Sequence, residues 1–435
     1  MQDVYYVSVD DLDVGIYVHL DLRWVEHNFS LNSFKIRNAG QIAKIRALGL
    51  KKIRIDPARS VLVPEPYREP PRQAVIAGGG ASSVPDASRA ASAEMFESGT
   101  KRQVIAERQE FIDQQRAAIE ACEKQFAQAA SSLRSINADI HARPHQAREN
   151  ATDLVQGILV NILHDKDVAI HLMNDKAGGE EMYFHALNVS VLAMMLAKEL
   201  GLPAGDIEQL GIGCLFHDVG KAQIPDRVQK AESPTRAEII LMQQHCAYGK
   251  AIGVKMGLSR EALEIINQHH ECFDGTGYPN LLIGDEIAPL ARIAAIVNSY
   301  DNHCNPKNPA QAMTPYEALS HMYAHERHRF DIAYLSVFVR CMGVYPPGTL
   351  VRLSDDSIGL VVAANFGMPL RPKILIFDPS VPKHEATVLD LQQAPELSVR
   401  DSLRPTEISP DVHDYLSPRT HVTYFFETPK RDKAR

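Results

Sequence analysis

Apolar residues recur at different intervals along this chain, and each interval points to a different kind of element. Near the start, Tyr5, Val7 and Val9 alternate with polar neighbours, the period of two expected of a half-buried strand. Gly15-Ile16-Tyr17-Val18 follows a turn, Ile42 to Leu48 reads as a short helix, and Lys52-Ile53-Arg54-Ile55 reads as a further strand. A small α+β unit over residues 1–62 accommodates these elements. The pattern then stops: residues 63–100 hold Pro64, Pro66, Pro70 and Pro71, then Gly78-Gly79-Gly80 and an Ala/Ser-rich run. Such a composition cannot build a core and predicts a flexible linker.

From Lys101 to Ile140 there is neither Pro nor Gly, and Ile105, Ile112, Ile119, Phe126, Leu133 and Ile140 recur every seven residues. This predicts a long helix with one apolar seam, in a unit placed at 101–149. The companion seam is mixed (Arg108, Gln115, Cys122, Ala129, Ile136), which leaves open both a homodimer through this helix and packing on the chain's own body. Residues 150–340 are strongly helical. Thr235-Arg236-Ala237-Glu238 and Thr314-Pro315-Tyr316-Glu317 have the capping-box form. Gly201 and Gly220 are placed to end helices with apolar stripes such as Leu187, Val191, Met194 and Met195. Past 340 come Pro346-Pro347-Gly348 and the strands Thr349 to Leu353, Ile358 to Ala363 and Lys373 to Phe377. The expected fold is mainly α: a helical domain, a small α+β N-terminal domain and a small β-rich region over 341–435.

With 435 residues, 45% hydrophobic and 23% charged, the chain has the balance of a soluble globular protein with more than one core. The apolar run Val189 to Ala197 is interrupted by Ser190 and ends at Lys198, short of the roughly 20 residues that span a bilayer. No membrane span is expected, and Met1-Gln2-Asp3 opens no export signal. Six scattered cysteines without a C-x-x-C pair read as reduced thiols, so a cytoplasmic setting is expected. The net charge of −8 argues against a non-specific nucleic-acid partner. An anionic ligand would need local positive charge, which bound metal supplies.

Eighteen histidines are many, and some sit with carboxylates in ligand-like spacing: Glu181, His185, His217, Asp218, His245, His269, His270 and Asp301. Glu181 and His185 share a helix face one turn apart. His217 and Asp218 are adjacent and diverge by about 100° on a helix, so one centre can use both only between helices, as in a bundle with an internal metal site. Mixed imidazole and carboxylate ligation suits iron, manganese or zinc and disfavours a structural thiolate site. Neighbouring metals clamp the attacking and leaving oxygens of a phosphoryl displacement, which points to phosphodiester hydrolysis. His164, His171, His303, His321, His325 and His328 are read as core or surface residues.

His217-Asp218-Val219-Gly220-Lys221 resembles the signature of the HD superfamily of metal phosphohydrolases. His269-His270-Glu271-Cys272-Phe273-Asp274-Gly275-Thr276-Gly277-Tyr278-Pro279 resembles the longer and more specific HD-GYP extension. The first unit resembles a domain of uncharacterised function found ahead of HD-GYP domains, most clearly at Trp24-Val25-Glu26-His27-Asn28-Phe29. The resemblance implies a bacterial signalling hydrolase that cleaves cyclic di-GMP to pGpG and on to GMP. It implies metals held by His185, His217, Asp218, His245, His269, His270 and Asp301, with Asp218 bridging two of them and the hydroxide between them attacking phosphorus. Two or three divalent ions, iron or manganese, are implied, the third through Glu181.

By the same resemblance Lys221 offsets phosphate charge, while Asp274, Gly275, Thr276, Gly277, Tyr278 and Pro279 line the substrate side, Tyr278 meeting a guanine. The chain departs from the family after Asp301. Where relatives carry a basic Arg-Pro-Tyr stretch it reads Asn302-His303-Cys304-Asn305-Pro306-Lys307, leaving Lys307 as the substitute phosphate contact. Two alternatives stay open: an HD hydrolase acting on another cyclic dinucleotide or nucleotide, and a non-catalytic cyclic di-GMP receptor.

Overall fold

The computed structural model describes residues 5–21, 29, 33–61, 124–164, 170–172, 181–365, 368–379, 381–383, 386–416 and 424–426. The side chains of 164, 170–172, 181, 182, 309 and 424–426 fall outside that description. The chain divides into two units, one of residues 1–116 with 353–357 and 376–389, the other of 117–352, 358–375 and 390–435.

In the first unit the alternation does what its period requires. Strands β1 (Tyr5–Ser8), β2 (Tyr17–His19), β3 (Ser33–Lys35) and β4 (Lys52–Ile55) form an antiparallel sheet in the order β1-β4-β2-β3. Val7, Val18, Phe34, Ile53 and Ile55 are buried in one cluster with Ile42 and Ile45 of α1 (Ala39–Ala47). Asn38 starts that helix, its side chain accepting from Gln41 N at 3.0 Å. The linker segment 63–100 and Trp24 to Asn28 lie outside the described residues.

The second unit is built on helices. A helix over 124–139, here α2, is followed by α3 (Pro144–His164) and, after β5 (Ile170–Leu172), by α4 (Glu181–Glu199) and α5 (Ala204–Phe216). Then come α6 (Asp226–Gln229), α7 (Arg236–Gln243), α8 (His245–Met256), α9 (Arg260–Gln268), α10 (Pro289–Cys304), α11 (Pro315–His325) and α12 (Ile332–Met342). Phe126, Leu133 and Ile140 of the seven-residue seam, with Ala129 and Ile136 of the mixed one, are buried in the same core as Leu187, Val191 and Leu210. The Phe126 and Phe184 rings lie 5.3 Å apart. These positions therefore pack on the chain's own body, while 101–123 lies outside the described residues.

The helical run does not continue unbroken to 149, because residues 140–143 turn and Pro144 opens α3. Proline lacks the donor and the space for a helix interior but suits a first turn. Both capping boxes form, Thr235 with Glu238 and Thr314 with Glu317. Gly201 ends α4 at φ +75°, the left-handed conformation that favours glycine. Gly220 does not end a helix, contrary to the sequence expectation. It lies in the short turn Val219–Gln223, where a Cβ would stand 2.0 Å from His245 O and 2.5 Å from Gly249 N. Only glycine lets that turn press against α8.

The C-terminal part is β-rich, as expected. Strands β6 (Leu350–Leu353), β7 (Ile358–Ala363), β8 (Lys373–Ile376), β9 (Val388–Asp390), β10 (Val399–Leu403) and β11 (Tyr424–Phe426) are joined by α13 (Pro410–Leu416). One sheet runs β10-β6-β7-β5-β11, so β5, supplied from between α3 and α4, sits between two C-terminal strands. No helix among the described residues is long and apolar enough to cross a membrane.

Candidate metal centre

Helix ends deliver the imidazoles. His217 closes α5, His245 opens α8 just after α7, and His269 closes α9. The last carbonyls of a helix lack intrahelical partners, and each ring satisfies one of them. His217 Nδ1 meets Cys214 O at 2.6 Å, His245 Nδ1 meets Met242 O at 2.7 Å, and His269 Nδ1 meets Ile266 O at 2.9 Å. A carbonyl only accepts, so Nδ1 carries the proton and Nε2 of the neutral ring presents its lone pair.

Those lone pairs converge. His245 Nε2 and His269 Nε2 are 3.3 Å apart, and His217 Nε2 is 3.1 Å from His185 Nε2, which α4 supplies. Asp218 joins the two sets. Its Oδ1 lies 3.5 Å from His245 Nε2 and 3.8 Å from His269 Nε2, and its Oδ2 lies 3.5 Å from His217 Nε2 and 3.7 Å from His185 Nε2. Two groups of donor atoms result, each within 4.8 Å: Asp218, His245, His269 and His270, and His185, His217 and Asp218. The 100° divergence of adjacent helical side chains is avoided because the helix ends at His217 and Asp218 has already left it, at φ −100° and ψ 4°.

The chemistry of this donor set fits a metal. Asp218 Oδ1 is buried and has no hydrogen-bond partner, a costly state for a carboxylate unless a cation meets it. Burial pushes His217 down to about 4 and holds His269 and His270 well below the usual imidazole range. They are neutral at pH 7, the form that ligates. Burial opposes ionisation of Asp218, but Lys221 and the imidazoles outweigh it and hold the carboxyl well below its ordinary value. A neutral imidazole set around one ionised carboxylate, with no thiolate, is a site for a divalent transition metal.

His185 behaves differently. Burial lowers it, but the hydrogen bond and charge of Asp301, helped by Asp218, outweigh burial and raise it. Asp301, expected among the ligands, lies against that ring: Oδ2 accepts from His185 Nδ1, and Oδ1 accepts from Asn188 and, at 3.0 Å, from Asn305 Nδ2. Glu181 begins α4, one turn before His185, but its side chain lies outside the described residues.

The loop after His270 has a structural logic of its own. Gly275 has φ +79°. At Gly277 a Cβ would meet Cys272 N at 2.2 Å and Glu271 Cα at 2.5 Å. The close approach that needs glycine is therefore loop against loop. Asp274 Oδ1 accepts from Thr276 N at 3.0 Å and from the Thr276 hydroxyl at 2.6 Å, an Asx turn. Tyr278, half-buried, lays its ring on His270 at 4.5 Å and 23°, and Pro279 follows it, also half-buried. Glu271, part of the His269–Pro279 motif, was given no role in the sequence reading. It is 2% exposed and accepts from Asn280 N at 2.6 Å and Leu282 N at 3.0 Å, clamping both limbs of the loop. An acid directly after two ligating histidines was the only available signal. Asn188, one turn after His185, was missed as well.

Two ammonium groups flank the carboxylate. Lys221 binds Asp218 Oδ2. Lys307 donates to Gln229 O at 3.0 Å, and burial, then the nearby Lys221 charge, lower it against the pull of Asp218.

Comparison with known families places this geometry. Residues 157–333 match an HD domain. The chain carries an HD domain. Residues 6–151 match a domain of unknown function, DUF3391, and residues 350–410 match a KOW domain associated with the HD domain. The chain is 27% identical over 377 residues to "Cyclic di-GMP phosphodiesterase PA4108" of Pseudomonas aeruginosa, covering 85% of this chain and 84% of that protein. It is 31% identical over 157 residues to "Cyclic di-GMP phosphodiesterase response regulator RpfG" of Xanthomonas campestris pv. campestris, covering 35% and 41%. It is 36% identical over 140 residues to "3'3'-cGAMP-specific phosphodiesterase 2" of Vibrio cholerae, covering 31% and 27%. An HD domain binds divalent metal, and the cluster around Asp218 is where this one has the donors for it.

Proposed function

We propose that this protein is a metal-dependent phosphodiesterase that hydrolyses cyclic di-GMP to pGpG and on to GMP. The observation that carries this reading is the buried, unpartnered Asp218 Oδ1 facing the His245 and His269 imidazole nitrogens, on a chain with a length-spanning relative named for that activity. His245, His269 and His270 on one side of Asp218, and His185 and His217 on the other, would hold the ions; iron or manganese suits the donors. When bound, such ions supply Lewis acidity toward a phosphoryl oxygen and lower the pKa of water.

The protein's own groups do the rest. Asp301 keeps the His185 ring oriented. Asp218 presents one oxygen to each group of imidazoles, so both halves of the centre share one charge. Lys221 and Lys307 bring two positive charges to the side where a phosphodiester must dock, and Lys307 takes the place of the basic stretch that relatives carry after Asp301. The loop held by Glu271 fixes Tyr278 on His270, which leaves only the outer face of the tyrosine for a base. Glu181, one turn before His185, is the ligand proposed for a third ion. Its setting in this reading is the cytoplasm, where the five described free cysteines would stay reduced.

A panel of cyclic dinucleotides with metal-replete protein tests the substrate. Cleavage of cyclic di-GMP in preference to 3'3'-cGAMP and cyclic di-AMP supports the reading. Preference for 3'3'-cGAMP would transfer the same chemistry to another substrate, and binding without turnover would make the protein a receptor.

A further inference from the structure

A second set of metal-ligating side chains lies on another face of α10. His303, His321 and Glu326 each offer one donor atom within 4.8 Å of the others. His303 follows Asp301 by two residues on the same helix, so the two side chains point about 200° apart: Asp301 faces His185 and α4, while His303 faces α11. The two centres are therefore on opposite sides of one helix and share no ligand.

The geometry suits a small cation. His303 Nε2 lies 2.8 Å from Glu326 Oε2, His321 Nε2 lies 3.9 Å from Glu326 Oε1, and the two imidazole rings are 5.2 Å apart. Side-chain exposures of 22%, 35% and 15% for His303, His321 and Glu326 leave the pocket open to solvent on the His321 side. Partial burial resists ionisation of Glu326, but His303, Arg329 and His321 outweigh it and keep the carboxylate charged. Arg329 Nη1 donates to Glu326 Oε1 at 2.8 Å, which leaves Oε2 aimed at His303 and orients the carboxylate as an outer partner orients a ligating one.

We propose that His303, His321 and Glu326 form a second metal site for a late first-row divalent ion of the zinc class, separate from the catalytic centre. Two imidazoles and one carboxylate with one position open to water is a three-ligand zinc arrangement, and its nitrogen-rich donors prefer zinc to magnesium or calcium. Ligand atoms around a tetrahedral zinc stand roughly 3.4 Å apart, given bonds of about 2.0–2.1 Å. His303 must therefore open from Glu326 Oε2 by about half an ångström and His321 must close on that oxygen, with loss of the proton shared by His303 and Glu326. The site also has a neighbour of consequence. Arg329 reaches Cys272 Sγ at 3.5 Å, and its carbonyl accepts from Phe273 N at 2.8 Å, so an ion that fixes Glu326 fixes the strut behind the His269–Pro279 loop.

The test is metal stoichiometry on the full chain at buffered free Zn²⁺, for wild type, His321→Ala and Glu326→Gln. A His217→Ala background weakens the catalytic centre and separates this proposal from the reading of that centre. Wild type is expected to bind one equivalent more than either variant, and His217→Ala alone is expected to retain that equivalent. With Co²⁺ as probe, a tetrahedral visible absorption band should persist in His217→Ala and vanish when His321→Ala is added. Equal zinc per chain in wild type and both variants, or a Co²⁺ band unaffected by His321→Ala, would overturn the proposal.

Discussion

Cys246, Cys272 and Cys304 sit beside the metal-centre residues in sequence, a placement that would suit redox sensors. Their surroundings say otherwise. All three are buried, and burial pushes the Cys246 thiol up to about 12 and the Cys304 thiol well above its ordinary value. A thiol is reactive as thiolate, so iodoacetamide at pH 8 should leave Cys246 and Cys304 unmodified in the folded protein and label them after denaturation. Mass spectrometry of both samples reads this out, and labelling of either in the native state would support a sensor role. Glu181→Ala, in anaerobically purified protein, should bind one metal fewer per chain and accumulate pGpG; unchanged metal content and product ratio would make Glu181 a surface acid. The clustered histidines were legible at this scale because H-D and H-H-E are local patterns. Asn188 and Glu271 were not, because what each does depends on which backbone or side chain a distant segment brings to it.

Elements were legible where the signal is local and illegible where partners are remote. Both capping boxes and the strands β6, β7 and β8 follow directly from residue order, whereas β5, three residues long, is a strand only because β7 and β11 flank it. Gly220 shows the same limit: glycine after an apolar helix is the usual sign of a terminator, but here its missing Cβ makes room for His245 O. Gly220→Ala should therefore cost roughly 3 kcal/mol by overpacking and reduce metal binding, since the turn that carries Lys221 is forced off the start of α8. Gly277→Ala should act similarly on the loop. Denaturant midpoints with metal content check both, and a Gly220→Ala protein with wild-type values would remove the close approach from the explanation.

For the molecule as a whole, the centre is a group of neutral imidazoles buried in a helical core. That has a consequence for the metal-free protein. Folded-state pKa values of His217, His245, His269 and His270 lie below the ordinary value of 6.5, so below pH 6.5 the unfolded chain binds more protons than the folded one. Stability is then full above about pH 6.5 and falls as pH drops toward about 4, the folded value of His217, which alone contributes on the order of 3 kcal/mol. Urea unfolding of metal-free protein between pH 7 and pH 4 should show this fall; a flat profile would mean that the rings are not buried neutral.

The central claim is that Asp218 joins two groups of imidazoles into one hydrolytic metal centre, and a paired measurement on Asp218→Asn and wild type reaches it most directly. Asparagine keeps the size of the side chain and removes the shared charge. Metal per chain and cyclic di-GMP turnover are measured on the same anaerobic preparations, with circular dichroism to confirm folding. The expected result is a folded variant with reduced metal and at least a hundredfold slower hydrolysis, the scale on which loss of a metal-site carboxylate acts. A folded Asp218→Asn protein with full metal content and wild-type turnover would contradict the claim.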